Sequence, residues 1–254
     1  MLVAERYEYI VQLVNERGSI RVAELSELCQ VTEETIRRDL DRLEMAGRLR
    51  RTHGGAVSVK DQQQQPETPY TEREILNAEE KKRIAEAAIE MIRPKDRILL
   101  DASSTAWYMA SRLPDIPLTV LTNSIKVALE LASKEKIDVI STGGLLSQGS
   151  LSYVGPLAER SLDAYHVGKV FLSCKGVHLE RGISESNELQ ARVKQKMIGM
   201  ADEVILLADS SKFGVQAFAH VAELDDIDSI VTDRRIPKDM HQRLAERGIP
   251  VKTV

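Results

Sequence analysis

With 254 residues, 43% of them hydrophobic and 29% charged, and a formal net charge of −4 at pH 7, the chain has the composition of a globular protein with two domains. No run of about 18 apolar residues is present to span a bilayer, and no apolar leader precedes the first helical pattern, so we expect a cytoplasmic protein. Cys29 and Cys174 have neither disulfide nor metal-ligand spacing. No metal or cofactor is therefore expected.

The amino-terminal residues predict three helices. The first two have apolar stripes at helical spacing, which are Tyr7, Ile10, Val11 and Val14 in the first helix and Val22, Leu25, Leu28 and Cys29 in the second. The third helix starts after Thr32, whose hydroxyl can cap the first turn, with Val31 and Ile36 placed as a hydrophobic staple. Gly47 is expected to end it. A hairpin that turns at Gly54-Gly55 follows, so the layout is that of a winged helix-turn-helix.

A local positive charge makes double-stranded DNA the expected partner of this unit. Residues 1–36 carry three Arg against seven Glu, whereas residues 37–60 carry six Arg and one Lys against three acids, so the net charge moves from −4 to +4. A charged helix face is usually only solvated, but a confined cationic edge supplies the phosphate contacts that dominate affinity for DNA. The candidate DNA-binding residues are Thr32, Glu34, Thr35, Arg37, Arg38, Arg50, Arg51 and His53.

Residues 61–70 predict a linker, because they contain a tract of four glutamines and two prolines without apolar periodicity. The expected domains are therefore residues 1–60 and 71–254. A single helix is expected over residues 72–92. Strand patterns then fall at residues 97–100, 118–121, 137–140, 169–173, 204–208, 229–232 and 249–254, and helical patterns at residues 105–113, 125–134, 156–164, 186–200 and 237–247. This alternation predicts an α/β domain with a mostly parallel sheet and helices on both faces.

Polar residues follow several of these strands, at the sheet edge where ligands bind in such folds. Residues 101–105 combine three hydroxyls with a helix N-terminus, which favours a phosphate, although Ser104 or Thr105 could merely cap the helix. Lys212 is equally compatible with a surface lysine, and Asp209 with a turn residue. Because these loops converge at one edge of the sheet, they favour a ligand-binding pocket there. The candidate effector-binding residues are Asp101, Ser103, Ser104, Thr105, Asn123, Gly143, Lys175, Asp209 and Lys212.

Taken together, these motifs resemble the DeoR family of bacterial transcription regulators. The resemblance covers nearly the whole chain and rests on residues 35–40, 53–55, 101–105, 122–124, 143–144 and 209–214. It implies that a winged helix binds operator DNA and that a domain similar to the sugar-phosphate isomerases senses a phosphorylated sugar. Residues 101–105 would then hold the phosphate, with Lys212 near the same ligand and Lys175 as a further candidate.

A narrower resemblance concerns the sugar. Residues 101–110 and 113–116 are similar to regulators of 6-deoxysugar utilisation, and residues 1–6 with 172–176 favour the rhamnose kind, which implies rhamnulose 1-phosphate as effector. The acidic segment and the glycine-rich loop that such isomerases use for acid/base chemistry are missing. Glu185 and Glu188 could be offered as a base, but both are expected on the polar face of the helix that starts at residue 186.

The expected function is therefore that of a non-catalytic regulator of a sugar-catabolic operon, as a repressor that a phosphorylated sugar releases. An activator is equally compatible with the residues. A symmetric operator would require a dimer or a higher oligomer such as a tetramer. The alternatives are a sugar-phosphate isomerase with a DNA-binding appendage, and an architectural DNA-binding protein whose second domain only oligomerises.

Overall fold

The computed structural model describes residues 3–17, 19–45, 48–52, 54–57 and 68–254. The chain divides into two compact units, an amino-terminal unit, Met1–Pro66, and a carboxy-terminal unit, Glu67–Val254. Of the linker predicted over residues 61–70, residues 61–67 lie outside the described residues, and Tyr70 is the first residue of a helix.

The amino-terminal unit is built from three helices and a small antiparallel sheet. In chain order its elements are α1 (Val3–Arg17), β1 (Ser19–Arg21), α2 (Val22–Cys29), α3 (Glu33–Met45), β2 (Arg50–Thr52) and β3 (Gly55–Val57). The strands lie in the order β1-β3-β2. The three predicted helices and the hairpin are confirmed. Strand β1 has no signal in the sequence because three residues are too few for an alternating pattern.

Helix α3 is packed into the core of this unit along one face. Ile36, Leu40 and Leu43 are buried at the predicted spacing. Asp39 lies on the same helix, and its carboxylate pairs with Arg6 of α1 at 2.7 Å, with both side chains buried. This ion pair holds α1 against α3, since removing either partner would leave a buried charge unpaired.

The start of α3 follows the predicted cap. The hydroxyl of Thr32 accepts a hydrogen bond from the backbone amide of Thr35 at 3.3 Å, which satisfies one of the free amides of the first turn. The helix ends at Met45, and the predicted stop, Gly47, lies outside the described residues.

The carboxy-terminal unit is a three-layer α/β structure. Its strands are β4 (Arg97–Leu100), β5 (Leu118–Thr122), β6 (Ile137–Ser141), β7 (Leu145–Ser147), β8 (Ser152–Val154), β9 (Val167–Leu172), β10 (Gly176–His178), β11 (Gly182–Glu185), β12 (Ala201–Leu207), β13 (Ala219–Ala222), β14 (Ser229–Thr232) and β15 (Val251–Thr253). Its helices are α4 (Tyr70–Ile75), α5 (Ala78–Ile89), α6 (Ser104–Arg112), α7 (Ile125–Leu131), α8 (Pro156–Leu162), α9 (Glu188–Gly199) and α10 (Lys238–Glu246).

All seven predicted strands form one parallel sheet in the order β15-β14-β12-β9-β4-β5-β6. Alternate residues of its strands enter two separate cores. Leu99 and Leu206 pack with α8, α9 and α10, while Ile98 and Ile205 pack with α5, α6 and α7. The prediction of helices on both faces is therefore confirmed. The remaining short strands are antiparallel, β7 with β8 and β10-β11-β13, and were not predicted.

The single helix predicted over residues 72–92 is wrong, because a break separates α4 from α5. Asn77 has a φ of +52°, a left-handed conformation that an α-helix cannot pass through. The ammonium group of Lys81 donates to the backbone carbonyls of Arg73 and Leu76, two acceptors at the end of α4 that the interrupted helix leaves without amide donors. No described helix is both long and apolar enough to cross a bilayer.

Candidate functional site

A cavity of about 400 Å³ lies in the carboxy-terminal unit, beside the carboxyl ends of β4, β9 and β12. This is the sheet edge at which open α/β folds bind ligands. Its lining contains five cationic side chains, which are Arg73, Lys81, Lys175, Lys194 and Lys212. Among the described lining residues, Glu185 is the one carboxylate. The cavity therefore has a strong excess of positive charge.

The loop between β4 and α6 supplies hydroxyl groups to this cavity. Ser103, Ser104 and Thr105 all line it, and all three side chains are buried. Ser103 caps α6, because its hydroxyl accepts from the amide of Ala106 at 3.1 Å. The cap is thus one residue earlier than the sequence suggested. The hydroxyl of Ser104 donates to the carbonyl oxygen of Arg73 at 3.1 Å.

Asp101 lies behind this loop rather than in the cavity lining. One carboxylate oxygen accepts from the amide of Ser103 at 3.0 Å, and the other accepts from the amide of Ser173 at 2.9 Å. The second oxygen also lies 3.0 Å from Lys194 Nζ. Asp101 is completely buried, so it fixes the positions of the two loops that follow β4 and β9.

Lys194, on α9, joins Asp101 to Glu185. Its ammonium lies 2.6 Å from Glu185 Oε1 and donates to the carbonyl of Ser173. Burial opposes the charge on Lys194, but the Glu185 and Asp101 carboxylates outweigh that effect and raise its pKa. Lys194 was not predicted from the sequence. Glu185, which was predicted on a solvated helix face, is instead the buried last residue of β11.

Two more lysines reach the cavity from neighbouring elements. Lys175 and Lys212, both candidates from the sequence, lie in the loops after β9 and β12 and line the cavity.

Lys81, on α5, also lines the cavity and was not predicted. Burial lowers the pKa of Lys81 to about 8, with nearby Lys212 and Arg73 acting in the same direction and Asp209 opposing them.

Besides Asp101, three more predicted residues lie outside the cavity lining. The amide of Asn123 donates to the carbonyl of Tyr153 at 3.0 Å, in the loop after β5. Gly143 follows β6 with a φ of +62°. Asp209 accepts from Asn77 Nδ2 at 3.0 Å and from the amide of Ser211 at 3.1 Å, and both of these partners do line the cavity. Asp209 therefore orients lining residues without facing the cavity.

The predicted DNA-binding residues of α3 lie on its exposed side, in a row of ion pairs. Arg37 pairs with Glu33 at 2.6 Å, and Arg38 lies 3.3 Å from Glu34. These pairs join exposed side chains one helical turn apart, which makes them weak. The hydroxyls of Thr32 and Thr35 lie 2.9 Å apart at the same end of the helix.

In the wing, which is the hairpin of β2 and β3, fewer of the predicted DNA-binding side chains are described. The side chain of Arg51 forms an ion pair with Asp41 of α3, and its amide donates to Glu44 Oε1 at 2.8 Å. In the free protein, Asp41 therefore competes with a DNA phosphate for the Arg51 side chain. The backbone of Arg50 belongs to β2, but its side chain and the whole of His53 lie outside the described residues.

In the described part of the chain, no group of three or more His, Cys, Asp and Glu side chains is arranged to hold a metal ion. Cys174 lines the cavity, and its burial raises the pKa of the thiol to about 12. A thiol of that kind contributes apolar surface rather than a thiolate ligand.

Profiles of known protein families match both units of the chain. The sequence profile described as "DeoR-like helix-turn-helix domain" matches residues 6–62, and "DeoR C terminal sensor domain" matches residues 76–234. The "Uncharacterized HTH-type transcriptional regulator YulB" of Bacillus subtilis is 55% identical over 100% of this chain and 98% of its own length. The "L-fucose operon activator" of Haemophilus influenzae is 40% identical over 96% of this chain and 97% of its own.

Among solved structures, ribose 5-phosphate isomerase A of Methanocaldococcus jannaschii aligns with a TM-score of 0.41 and 17% identity. The alignment covers 54% of this chain and 55% of that chain. So distant a likeness carries no argument about activity.

Proposed function

Because the chain belongs to the DeoR family of helix-turn-helix transcription regulators, we propose that its carboxy-terminal cavity binds a phosphorylated sugar and thereby controls operator binding by its amino-terminal unit. The observation that carries this proposal is the cavity lining, in which five cations line the same cavity as the hydroxyls of residues 103–105. A small dianion is the ligand that such a lining favours, because ionised groups form the strongest hydrogen bonds in a site shielded from water.

The chain is a DNA-binding regulator rather than an enzyme, in keeping with relatives that are named as transcriptional regulators. In the proposed complex the phosphate is held by Ser104, Thr105 and Lys212, near the free amides at the start of α6. The sugar hydroxyls then face Glu185, whose carboxylate accepts hydrogen bonds from them. Binding of this kind needs no proton transfer at a sugar carbon.

The sugar we propose is a 6-deoxyketose phosphate, with L-rhamnulose 1-phosphate as the first choice. A 6-deoxysugar presents a methyl group where an ordinary hexose has a hydroxymethyl group, and Leu76, Cys174 and Val215 give the cavity apolar surface for it. The relative named as an L-fucose operon activator supports the class, because fucose is also a 6-deoxysugar. The preference for rhamnose rests on the resemblance of residues 1–6 and 172–176 described above.

We propose that the unliganded protein is a repressor that binds a symmetric operator as a dimer or tetramer. In such a protein the effector lowers operator affinity by favouring an arrangement that fits the DNA poorly. A coupling free energy of about 1 to 3 kcal/mol corresponds to a weakening of roughly 5- to 150-fold. Since a relative is named as an activator, the sign is tested in a reporter strain. Expression that rises when the gene is deleted supports repression.

A thermal-shift screen of the intact protein tests the ligand class. Phosphorylated deoxyketoses are compared with their unphosphorylated sugars and with other hexose phosphates. A ligand present at 100 times its dissociation constant should stabilise the protein by about 2.7 kcal/mol. The absence of stabilisation by every phosphorylated sugar would overturn the proposed function.

A substitution in the hydroxyl loop tests the location. Ser104→Glu places a carboxylate where the phosphate is proposed to lie, so we expect loss of the thermal shift with retained operator binding. Ser133→Glu, at an exposed position where the hydroxyl donates to the carbonyl of Glu130 at 3.3 Å, is the matched control. Because Ser104 is buried, Lys212→Met provides a second variant that removes the positive charge from a half-exposed position. An unchanged response in both variants would exclude this loop as the phosphate site.

A further inference from the structure

Helix α4 forms one wall of the cavity and is the first described element after residues 58–67. It is held at several points. Tyr70 is buried, and its amide donates to the carbonyl of Gly149 at 2.8 Å. The Tyr108 hydroxyl donates to the carbonyl of Glu74 at 3.0 Å, and the ammonium of Lys126 lies 3.4 Å from the Glu74 carboxylate. In sequence, α4 is therefore the described element of this unit that follows the amino-terminal unit most directly. A change in the position of α4 acts on that connection.

The end of α4 is held by groups that also face the cavity. Lys81 Nζ donates to the carbonyls of Arg73 and Leu76, the latter at 2.6 Å, and the Ser104 hydroxyl donates to the same Arg73 carbonyl. Both donors line the cavity. The same two side chains can therefore bind either α4 or a ligand.

An anion competes well for these donors. The carbonyl acceptors are neutral, whereas a phosphate monoester is a dianion, and hydrogen bonds between two ionised groups are the stronger ones. The surroundings of Lys81 are also short of negative charge. Asp209 and, on α5 itself, Glu80 raise the pKa of Lys81, whereas the cations Lys212 and Arg73 lower it. A ligand phosphate would supply the missing counter-charge.

The docked position of α4 also leaves a buried polar group without a hydrogen bond. Within the described residues the buried hydroxyl of Tyr70 has no hydrogen-bond partner. A buried polar group without a partner opposes the docked state. In addition, α4 has only six residues and cannot persist by helix propensity alone. Its position therefore depends on the contacts just described.

We propose that an anionic ligand draws Lys81 and Ser104 away from the carbonyls of α4, so that occupation of the cavity loosens the segment that leads to the DNA-binding unit. This inference rests on the proposed function, since it assigns a regulatory path to the same site. Lys81 then contacts the ligand, and because it leaves the carbonyls of α4 to do so, it also couples ligand binding to the release of that helix. The free protein keeps α4 docked, and the liganded protein releases its carboxyl end.

Hydrogen exchange on the full-length chain tests the inference. Wild-type protein is compared without ligand, with inorganic phosphate, with L-rhamnulose 1-phosphate and with L-rhamnulose. Bound phosphate should protect the amides of residues 103–106 and accelerate exchange across residues 70–77 by roughly tenfold, which corresponds to losing one or two hydrogen bonds. The inorganic phosphate sample makes this test independent of the sugar. Faster exchange across residues 70–77 with L-rhamnulose alone would contradict a role for the anion.

The single tryptophan of the chain gives a second readout. Trp107 lies under the ammonium of Lys126, 4.9 Å from the ring centroid, and the same ammonium lies 5.6 Å from the ring centroid of Tyr70. Release of α4 changes this environment, so we expect the emission of Trp107 to follow phosphate binding with the same concentration dependence as the exchange.

Two variants isolate the role of Lys81. Lys81→Met should weaken phosphate binding by roughly 10- to 100-fold, show rapid exchange across residues 70–77 without ligand, and show no further change with it. Lys82→Met, the next residue on the same helix, whose ammonium pairs with Glu79, should behave as wild type.

The outcomes separate the two proposals. Thermal stabilisation by phosphate or a sugar phosphate with unchanged exchange across residues 70–77 overturns this inference and leaves the proposed function standing. Equal affinity of wild type and Lys81→Met also overturns it. Absence of stabilisation by every phosphorylated compound overturns both.

Discussion

Replacing Lys194 by methionine tests how the floor of the cavity is held together. The ammonium of Lys194 lies 3.0 Å from Asp101 and 2.6 Å from Glu185, and all three side chains are at most 12% exposed. Lys194→Met keeps the length and the apolar packing of the side chain. It leaves two buried carboxylates facing each other without the cation that neutralises them.

The expected cost follows from that arrangement. Removing one partner of a buried ion pair costs about 3 to 5 kcal/mol, because the remaining charge stays desolvated. That is a large fraction of the roughly 5 to 15 kcal/mol that a domain has. Lys196→Met is the control on the same helix. Lys196 pairs with Asp163 at 2.7 Å, but that pair is about half exposed, so its loss should cost less than about 1 kcal/mol.

Urea unfolding followed by tryptophan emission measures the difference. Trp107 is the only tryptophan and lies on α6, so the transition reports the carboxy-terminal unit even if the two units unfold separately. The free energy of unfolding comes from the midpoint at constant slope. A loss in Lys194→Met no larger than that in Lys196→Met would refute the reasoning that this lysine neutralises two buried carboxylates.

Three further outcomes are expected. Arg37→Ala should cost about 1 to 3 kcal/mol in titrations with the operator and change base preference at one position, whereas an equal loss on all sequences would mean a phosphate contact only. Gly55→Ala should destabilise the amino-terminal unit by about 1 to 3 kcal/mol in calorimetry, because the new Cβ would lie 2.0 Å from the carbonyl oxygen of Ile20; unchanged stability would contradict this close packing. Sugar-phosphate affinity, measured by calorimetric titration, should rise with pH through about 6 as the phosphate becomes a dianion. It should fall above about 8, where Lys81 loses its proton, and Lys81→Met should remove that fall.

The secondary structure of the carboxy-terminal unit could be predicted because its sheet is parallel. Strands buried on both faces appear as short apolar runs between turns, so all seven could be placed. Side-chain caps at helix starts were harder. The helix predicted from residue 186 begins at Glu188, because Asn187 Oδ1 accepts from the amide of Leu189 at 2.8 Å and caps it there. That shift also leaves Glu185 in a buried strand.

The cavity lining could be predicted only where it follows a strand. Residues 103–105, Lys175 and Lys212 were found in this way. Lys81 and Lys194 lie within helices, where lysine normally belongs to the solvated face. A signal was nevertheless present in the spacing. Lys81 comes three residues before Ile84, and Lys194 three residues before Met197, so each lies on the apolar face of its helix.

The acids at the start of α3 bear on how the operator is read. Glu33 and Glu34 occupy the first turn, where the helix dipole favours negative charge, and they pair with Arg37 and Arg38. We propose that this end of α3 enters the major groove of the operator. A helix selected only for phosphate contacts would not carry carboxylates there, since they repel the DNA backbone. A carboxylate can accept from the amino group of cytosine, and an arginine that leaves its glutamate must gain a good contact in return. Guanine offers that contact through two acceptors, whereas other bases do not, so the ion pairs of the free protein act against binding at the wrong sequence.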